Sequence, residues 1–173
     1  QAAAEAAEKK AAAIIVSQEV ELPKQSETTL IRVEDTRYAL AFVSAAWFDH
    51  PAKKLTTIGI TGTKGKTTTT YLVKSILENA GRKVGLVGTI EIIIGDTHIH
   101  AVNTTPESYL LQEYFAKMVE SGCDTVVMEV SSQALMLHRT QGFVFDFGIF
   151  TNLEPDHIGP NEHGSFEEYA HCK

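Results

Sequence analysis

The sequence of 173 residues predicts an α/β fold that is built on a mostly parallel sheet. From residue 54 onward, apolar strand patterns alternate with amphipathic helical patterns, and this β-α-β alternation is typical of a parallel sheet covered on both faces. Apolar residues make up 43% of the chain and charged residues 21%, as in ordinary globular proteins. Three polar, chemically reactive stretches follow predicted strands, and ligands of such sheets collect at the carboxyl ends of strands.

The N-terminal 50 residues predict a small α/β unit of their own. Alanine-rich composition favours a helix at the start, and Asp35 is placed to cap a second helix whose apolar residues recur at helical spacing. Pro51 breaks that second helix. The predicted elements are a helix over 2–12, strands over 13–17 and 29–33, a helix over 36–48 and a linker over 51–54.

The remaining residues, 55–173, predict the alternating strands and helices of a larger domain. Glycines at 81 and 122 close two of its helices, and Gly95-Asp96 marks the turn of a hairpin. Ser165 with Glu168 forms a capping-box pattern at the start of the last helix. The predicted elements are strands over 54–62, 83–89, 123–132 and 145–153, a hairpin over 90–102, and helices over 66–81, 106–122, 133–140 and from 165 onward. The strand over 145–153 is apolar and is expected to be buried.

Charge and composition exclude several classes of protein. The formal net charge is −7 and the acidic residues are spread along the chain, whereas a nucleic-acid surface needs a concentrated basic face. No apolar run approaches the roughly 18 residues of a membrane span. Cys123 and Cys172 lie far apart and in no metal-ligand spacing, which is typical of free thiols in a reducing cytosol.

The stretch IGITGTKGKTTTT at 58–70 predicts a phosphate-binding loop. The strict pattern G-x-x-x-x-G-K-[ST] requires a glycine at the position of Ile60, so the predicted loop is shorter than the usual one. Its glycines permit a tight turn, and the following helix presents the positive end of its dipole. Lys66 can reach the β and γ phosphates, and the Thr67 hydroxyl can ligate Mg²⁺. The candidate nucleotide-binding residues are Gly62, Thr63, Lys64, Gly65, Lys66, Thr67 and Thr68. A tight strand-to-helix connector without a ligand is the alternative.

Further motifs follow in a set order along the chain. They are NTTPES at 103–108, MEVSSQAL at 128–135 with HR at 138–139, FTNLEPDH at 150–157 and EEYAHCK at 167–173. With these motifs the chain resembles the muramyl ligase family of ATP-dependent amide-bond-forming enzymes. The combination is most similar to the members that add the third amino acid to UDP-N-acetylmuramoyl-L-alanyl-D-glutamate in peptidoglycan synthesis, by way of an acyl phosphate.

The resemblance implies a cytoplasmic enzyme of several domains, of which this chain is a part. Residues 1–50 would form the C-terminal part of a UDP-binding N-terminal domain. Residues 55–173 would form the first part of a central ATPase domain of the P-loop type. The C-terminal domain that binds the incoming amino acid would be absent, so the choice between L-lysine and meso-diaminopimelate stays open.

The resemblance also implies a metal site for two Mg²⁺ ions. Glu129 ends an apolar strand, where a carboxylate is a natural ligand for Mg²⁺; an exposed strand-end acid is the alternative. The implied metal ligands are Thr67, Glu129, His157 and Lys173, the last as a carbamate formed with CO₂. A plain ammonium group would be repelled by the metal ions, whereas a carbamate supplies oxygen ligands. The implied catalytic residues are Lys66, His157 and Lys173.

The implied partners are ATP, the UDP-N-acetylmuramoyl dipeptide and an amino acid. By the same resemblance, Asn103, Thr104, Thr105, Ser131 and Arg139 would contact the muramoyl-peptide substrate. Some relatives carry a glutamine at the position of Leu137, so no substrate contact is predicted for Leu137.

Three other functions remain compatible with the residues. They are a P-loop switch or motor NTPase, a related ligase such as a folylpolyglutamate synthetase, and a chain that binds nucleotide without turnover. A switch or motor would require an aspartate that closes a hydrophobic strand, and Glu129-Val130-Ser131-Ser132 stands at the corresponding place. This difference favours the ligase.

Overall fold

The computed structural model describes residues 2–23, 25–156, 158–159 and 163–173. It contains a two-stranded sheet and a six-stranded sheet, so the predicted α/β fold with a mostly parallel sheet is confirmed. Among the described residues, no helix has the length and apolar character that a membrane span requires. The helices are α1 (Ala2–Glu8), α2 (Thr36–Trp47), α3 (Lys66–Asn79), α4 (Ser108–Glu120), α5 (Ser132–Met136) and α6 (Phe166–Cys172), with a 3-10 turn at Pro51–Lys54. The strands are β1 (Ala13–Val16), β2 (Thr29–Arg32), β3 (Thr56–Thr61), β4 (Val84–Val87), β5 (Glu91–Ile94), β6 (Thr97–His100), β7 (Thr125–Glu129) and β8 (Phe147–Phe150).

The N-terminal unit consists of the parallel pair β1 and β2 with α1 and α2. The helix predicted over 2–12 ends at Glu8, because Lys10 adopts a left-handed conformation with φ of 59° and the chain turns there into β1. The predicted cap of α2 is confirmed. The Asp35 carboxylate accepts hydrogen bonds from the N–H groups of Arg37 and Tyr38 at 2.7 and 3.0 Å.

The six-stranded sheet has the order β6-β5-β4-β7-β3-β8. Strands β4, β7, β3 and β8 are mutually parallel, and the hairpin β5-β6 joins antiparallel to β4. The carboxyl ends of the four parallel strands therefore meet at one edge of the sheet. The loops that follow these strands carry most of the residues that the sequence predicts to be functional.

Helices cover both faces of this sheet. On one face, Leu111, Phe115 and Met118 of α4 are completely buried in the larger apolar core. On the other face, Val73 and Leu77 of α3 pack against the apolar residues of the central strands. The helix that begins at the predicted phosphate loop is thus held firmly against the sheet.

Strand β8 differs from its prediction. It spans only Phe147–Phe150 rather than 145–153, and three of its four residues are exposed. The expectation of a buried strand is therefore wrong for the described residues. Strand β8 lies at the edge of the sheet beside β3, and Phe147 and Phe150 retain 60% and 52% of their surface exposure. An apolar run identifies a strand, but it does not distinguish an edge strand from a central one.

Candidate active site

The phosphate loop connects β3 to α3, and its two glycines have distinct roles. Gly62 has a φ of 138°, and a Cβ atom there would collide with the Thr151 hydroxyl. Gly65 caps α3 in a left-handed conformation with φ of 80° and offers no side-chain partner to the first turn of the helix. Ile60, at the position of the absent glycine, is a fully buried residue of β3. The strand therefore extends further than in the strict motif, and the loop begins only at Gly62.

A second segment, residues 151–154, braces this loop. The N–H of Thr63 donates to the Asn152 carbonyl at 3.0 Å, and the N–H of Lys64 donates to Asn152 Oδ1 at 2.9 Å. The Lys64 ammonium lies 2.7 Å from a Glu154 carboxylate oxygen, and this hydrogen bond raises the pKa of Lys64. The predicted nucleotide contacts Thr63 and Lys64 thus have their N–H groups engaged within the protein. The sequence analysis assigned no role to Asn152, which lies within the predicted strand over 145–153, or to Glu154, which directly follows that strand.

Lys66 and Lys173 converge on a single carbonyl oxygen. The Lys66 ammonium donates to the carbonyls of Gly62 and Thr63 at 2.9 and 3.1 Å, and the Lys173 ammonium donates to Gly62 O at 2.9 Å. Burial lowers the pKa of Lys66. Burial, followed by the positive charge of Lys66, lowers the pKa of Lys173 to about 8. The structure therefore brings together two of the three predicted catalytic residues.

Glu129 lies at the end of β7, opposite Ile60 in the register, and is only 1% exposed. Its carboxylate accepts hydrogen bonds from the Thr67 hydroxyl at 3.0 Å and from the N–H and hydroxyl of Thr89 at 2.8 and 3.1 Å. The alternative of an exposed strand-end acid is therefore wrong. The sequence analysis assigned no role to Thr89, although it is the last residue of the strand predicted over 83–89.

The oxygen atoms around Glu129 suit a hard cation such as Mg²⁺. A buried carboxylate and the Thr67 hydroxyl lie beside a helix N-terminus, and Mg²⁺ prefers oxygen ligands of this kind. Within the part of the chain that the structure describes, no three carboxylate, histidine or cysteine side chains cluster as a metal site. The predicted ligand His157 lies outside the described residues.

The predicted substrate residues line a polar cavity of about 300 Å³. Lys66 and Lys173 form part of the same wall, so the cavity adjoins the phosphate loop. Thr104 lies against the glutamate site, since its hydroxyl is 3.0 Å from that of Thr89. The substrate residues that line the cavity are Asn103, Thr104, Thr105, Ser131 and Arg139.

Two of these residues also have structural contacts. The fully buried Thr105 donates its hydroxyl to the Glu129 carbonyl at 2.9 Å and accepts from the N–H of Ser131 at 3.1 Å. Arg139 donates to the Thr105 carbonyl at 3.2 Å and forms an ion pair of 2.6 Å with Glu107. Glu107 was missed by the sequence analysis, and its position at the start of a helix gave no signal of an ion pair.

The short helix before Arg139 is shifted relative to its prediction. Helix α5 spans Ser132–Met136 instead of 133–140, and the Ser131 hydroxyl caps it by accepting from the N–H of Ala134 at 3.2 Å. His138 has a φ of 55°, and this left-handed conformation turns the chain away from the helix. The Arg139 side chain is therefore presented from a turn, and its Nε atom is buried without a hydrogen-bond partner among the described residues.

Comparisons with known proteins identify the family to which this chain is similar. Residues 60–173 match the family described as the Mur ligase middle domain. The UDP-N-acetylmuramoyl-L-alanyl-D-glutamate–2,6-diaminopimelate ligase of Clostridium perfringens is 49% identical over 98% of this chain and 34% of its own length. The enzyme of the same name from Caldanaerobacter subterraneus is 48% identical over 93% of this chain and 33% of its own length.

A solved structure of a protein with that name shares the fold. It superposes with a TM-score of 0.76 at 23% identity, over 92% of this chain and 31% of that one. The chain spans about a third of the length of the relatives it matches.

Proposed function

The chain belongs to the Mur ligase family, and we propose that it forms the phosphate-binding part of an ATP-dependent ligase. This ligase adds the third amino acid to UDP-N-acetylmuramoyl-L-alanyl-D-glutamate in the cytoplasm. The names of its relatives favour 2,6-diaminopimelate as that amino acid. One observation carries the proposal: Lys66, Lys173 and the Glu129–Thr67 pair lie around a P-loop-type turn that adjoins a polar cavity.

The domain assignment is part of the same proposal. Residues 1–50 are the C-terminal part of a UDP-binding domain, residues 51–54 are a linker, and residues 55–173 are the first part of the central ATPase domain. The sheet order and the helix-capping loop support a P-loop ATPase type for that domain. The domain that binds the incoming amino acid lies outside this chain.

ATP binds through the N-terminus of α3. The N–H groups of the first turn have no intrahelical acceptors, so they can donate hydrogen bonds to phosphate oxygens. When ATP binds, the Lys66 ammonium leaves the neutral carbonyls of Gly62 and Thr63 and donates to the β and γ phosphates instead. Hydrogen bonds to the charged phosphate oxygens are stronger than those to neutral carbonyls. The substrate carboxylate attacks the γ-phosphorus, giving an acyl phosphate and ADP. The amine of the amino acid then displaces phosphate and forms the amide bond. The protein contributes mainly orientation and charge stabilisation.

The family uses Mg²⁺, which when bound neutralises charge on the phosphate oxygens; Thr67, Glu129, His157 and carbamylated Lys173 would hold two such ions. The Lys173 ammonium first loses one proton, and the neutral amine then takes up CO₂ and releases a second, so the side chain changes from +1 to −1 overall. A pKa of about 8 makes the neutral amine accessible near physiological pH. The N–H that remains on Nζ can keep its hydrogen bond to the Gly62 carbonyl.

The test is the Lys66→Ala variant of the complete enzyme, with Lys117→Ala as a matched surface control. Phosphate release is measured with and without the UDP-linked dipeptide and 2,6-diaminopimelate. We expect release that depends on both substrates in the wild type and the control, and none in Lys66→Ala. Normal turnover by Lys66→Ala would refute the assignment of the loop. ATP hydrolysis that does not depend on the UDP-linked dipeptide would instead favour a P-loop NTPase.

A further inference from the structure

Tyr169 connects the last helix to the phosphate loop. It is 0% exposed and is the buried residue of α6. Its hydroxyl oxygen lies 2.7 Å from the Thr63 hydroxyl oxygen, across 106 positions of sequence. The Lys173 ammonium lies 5.0 Å from the centre of its ring, within the range of a cation–π contact. One buried side chain therefore contacts both the loop and the lysine.

The Thr63 hydroxyl also contacts the backbone of Glu154. Its oxygen lies 3.2 Å from the Glu154 carbonyl oxygen and accepts from the N–H of Glu154 at 3.0 Å. In the bond between Tyr169 and Thr63, either hydroxyl can be the donor. The Tyr169 ring also packs at 60° against the ring of His163, whose Nε2 lies 2.8 Å from the Ser132 hydroxyl. These contacts hold the ring in one orientation between the loop and α5.

The position of Lys173 depends on such an anchor. Helix α6 has seven residues, and an isolated helix of this length is not stable in water. Lys173 directly follows α6, and its ammonium lies over the Tyr169 ring of the preceding turn. The distance from the loop to the lysine is thereby set through the tyrosine ring.

We propose that Tyr169 is a positioning residue that holds the Lys173 side chain at the phosphate loop in the geometry required for its carbamylation. The inference rests on the proposed function of Lys173. It goes beyond that function, because it assigns the placement of the lysine to the Tyr169–Thr63 hydrogen bond.

The experiment uses the complete enzyme with Tyr169→Phe, which deletes the hydroxyl and retains the ring. Tyr109→Phe, at a half-exposed tyrosine on α4, is the matched control. Carbamate at Lys173 is measured by ¹³C NMR with labelled bicarbonate, alongside kcat and KM for ATP. We expect Tyr169→Phe to lower kcat about tenfold, to change KM for ATP by less than about twofold and to weaken the carbamate signal. The control should match the wild type in all three.

A second pair of variants keeps the proposal testable if Tyr169→Phe does not fold. Thr63→Ser retains the hydroxyl and should preserve the carbamate signal, whereas Thr63→Val should weaken it. In a Thr63→Val background, Tyr169→Phe should have no further effect, because the shared hydrogen bond is already lost. A full carbamate signal and kcat in a folded Tyr169→Phe enzyme would overturn the inference. A wild-type enzyme without dipeptide-dependent phosphate release would overturn the proposed function itself.

Discussion

Replacing Glu129 with glutamine separates the structural role of this side chain from its proposed role at the metal. In the wild type, Oε1 accepts from the N–H of Thr89 and Oε2 accepts from the hydroxyls of Thr67 and Thr89. In Glu129→Gln, the amide oxygen can keep the bond to the N–H. The amide NH₂ then faces two hydroxyls, and both can rotate to become acceptors.

The magnitude follows from this hydrogen-bond inventory. Each bond to the charged carboxylate contributes about 1.5–3 kcal/mol and each neutral bond about 1 kcal/mol. The weaker bonds are offset in part because a buried charge no longer has to be desolvated. We therefore expect the free energy of unfolding to change by less than about 2 kcal/mol. Loss of a residue that only supports a metal ligand costs about 10–100-fold in metal affinity, so loss of the ligand itself should cost at least about 100-fold.

Two measurements on the same protein decide the question. Urea denaturation of wild type and Glu129→Gln gives the change in stability, and titration of ATP turnover with Mg²⁺ gives the apparent metal affinity. Glu113→Gln, which removes a carboxylate from a surface ion pair with Lys117, is the control and should leave the Mg²⁺ titration unchanged. Turnover by Glu129→Gln with the wild-type Mg²⁺ dependence would refute the assignment of Glu129.

Three further predictions concern the phosphate loop, the pKa of Lys173 and the apolar core. Gly62→Ala should abolish detectable ATP binding in a fluorescence titration, because a Cβ atom there would collide with Thr151; wild-type affinity would contradict the required turn. The rate of acetylation of Lys173, followed by mass spectrometry, should level off above about pH 8, where its amine is already neutral. The pKa of Lys117 is raised by its hydrogen bond to Glu113, so its rate of acetylation should keep rising with pH. Parallel pH profiles for the two lysines would contradict the lowered pKa of Lys173. Phe115→Ala should lower the free energy of unfolding by about 3–5 kcal/mol in urea denaturation, because the ring is fully buried; a loss below about 1 kcal/mol would contradict tight packing there.

The local signals in the sequence predicted the phosphate loop well. The change from strand to helical periodicity, with glycines and Gly-Lys-Thr between them, located the loop at 62–65 and the start of α3 at Lys66. Glu129 was recognisable because it closes an apolar strand. The partners of these residues were less visible. Thr89, Asn152 and Glu154 come from other strand ends, and no local pattern relates them to the loop.

Contiguous segments of the sequence were enough to predict the α/β alternation, the phosphate loop and the resemblance to a ligase family. These depend on periodicity, glycine placement and residue spacing, which are properties of contiguous segments. The three-dimensional arrangement was needed to show that Lys66 and Lys173 share the Gly62 carbonyl, that Glu107 pairs with Arg139 and that β8 is an exposed edge. Each of these follows from the order in which parallel strands assemble. That order brings residues more than 100 positions apart within hydrogen-bond distance, as it does for Tyr169 and Thr63.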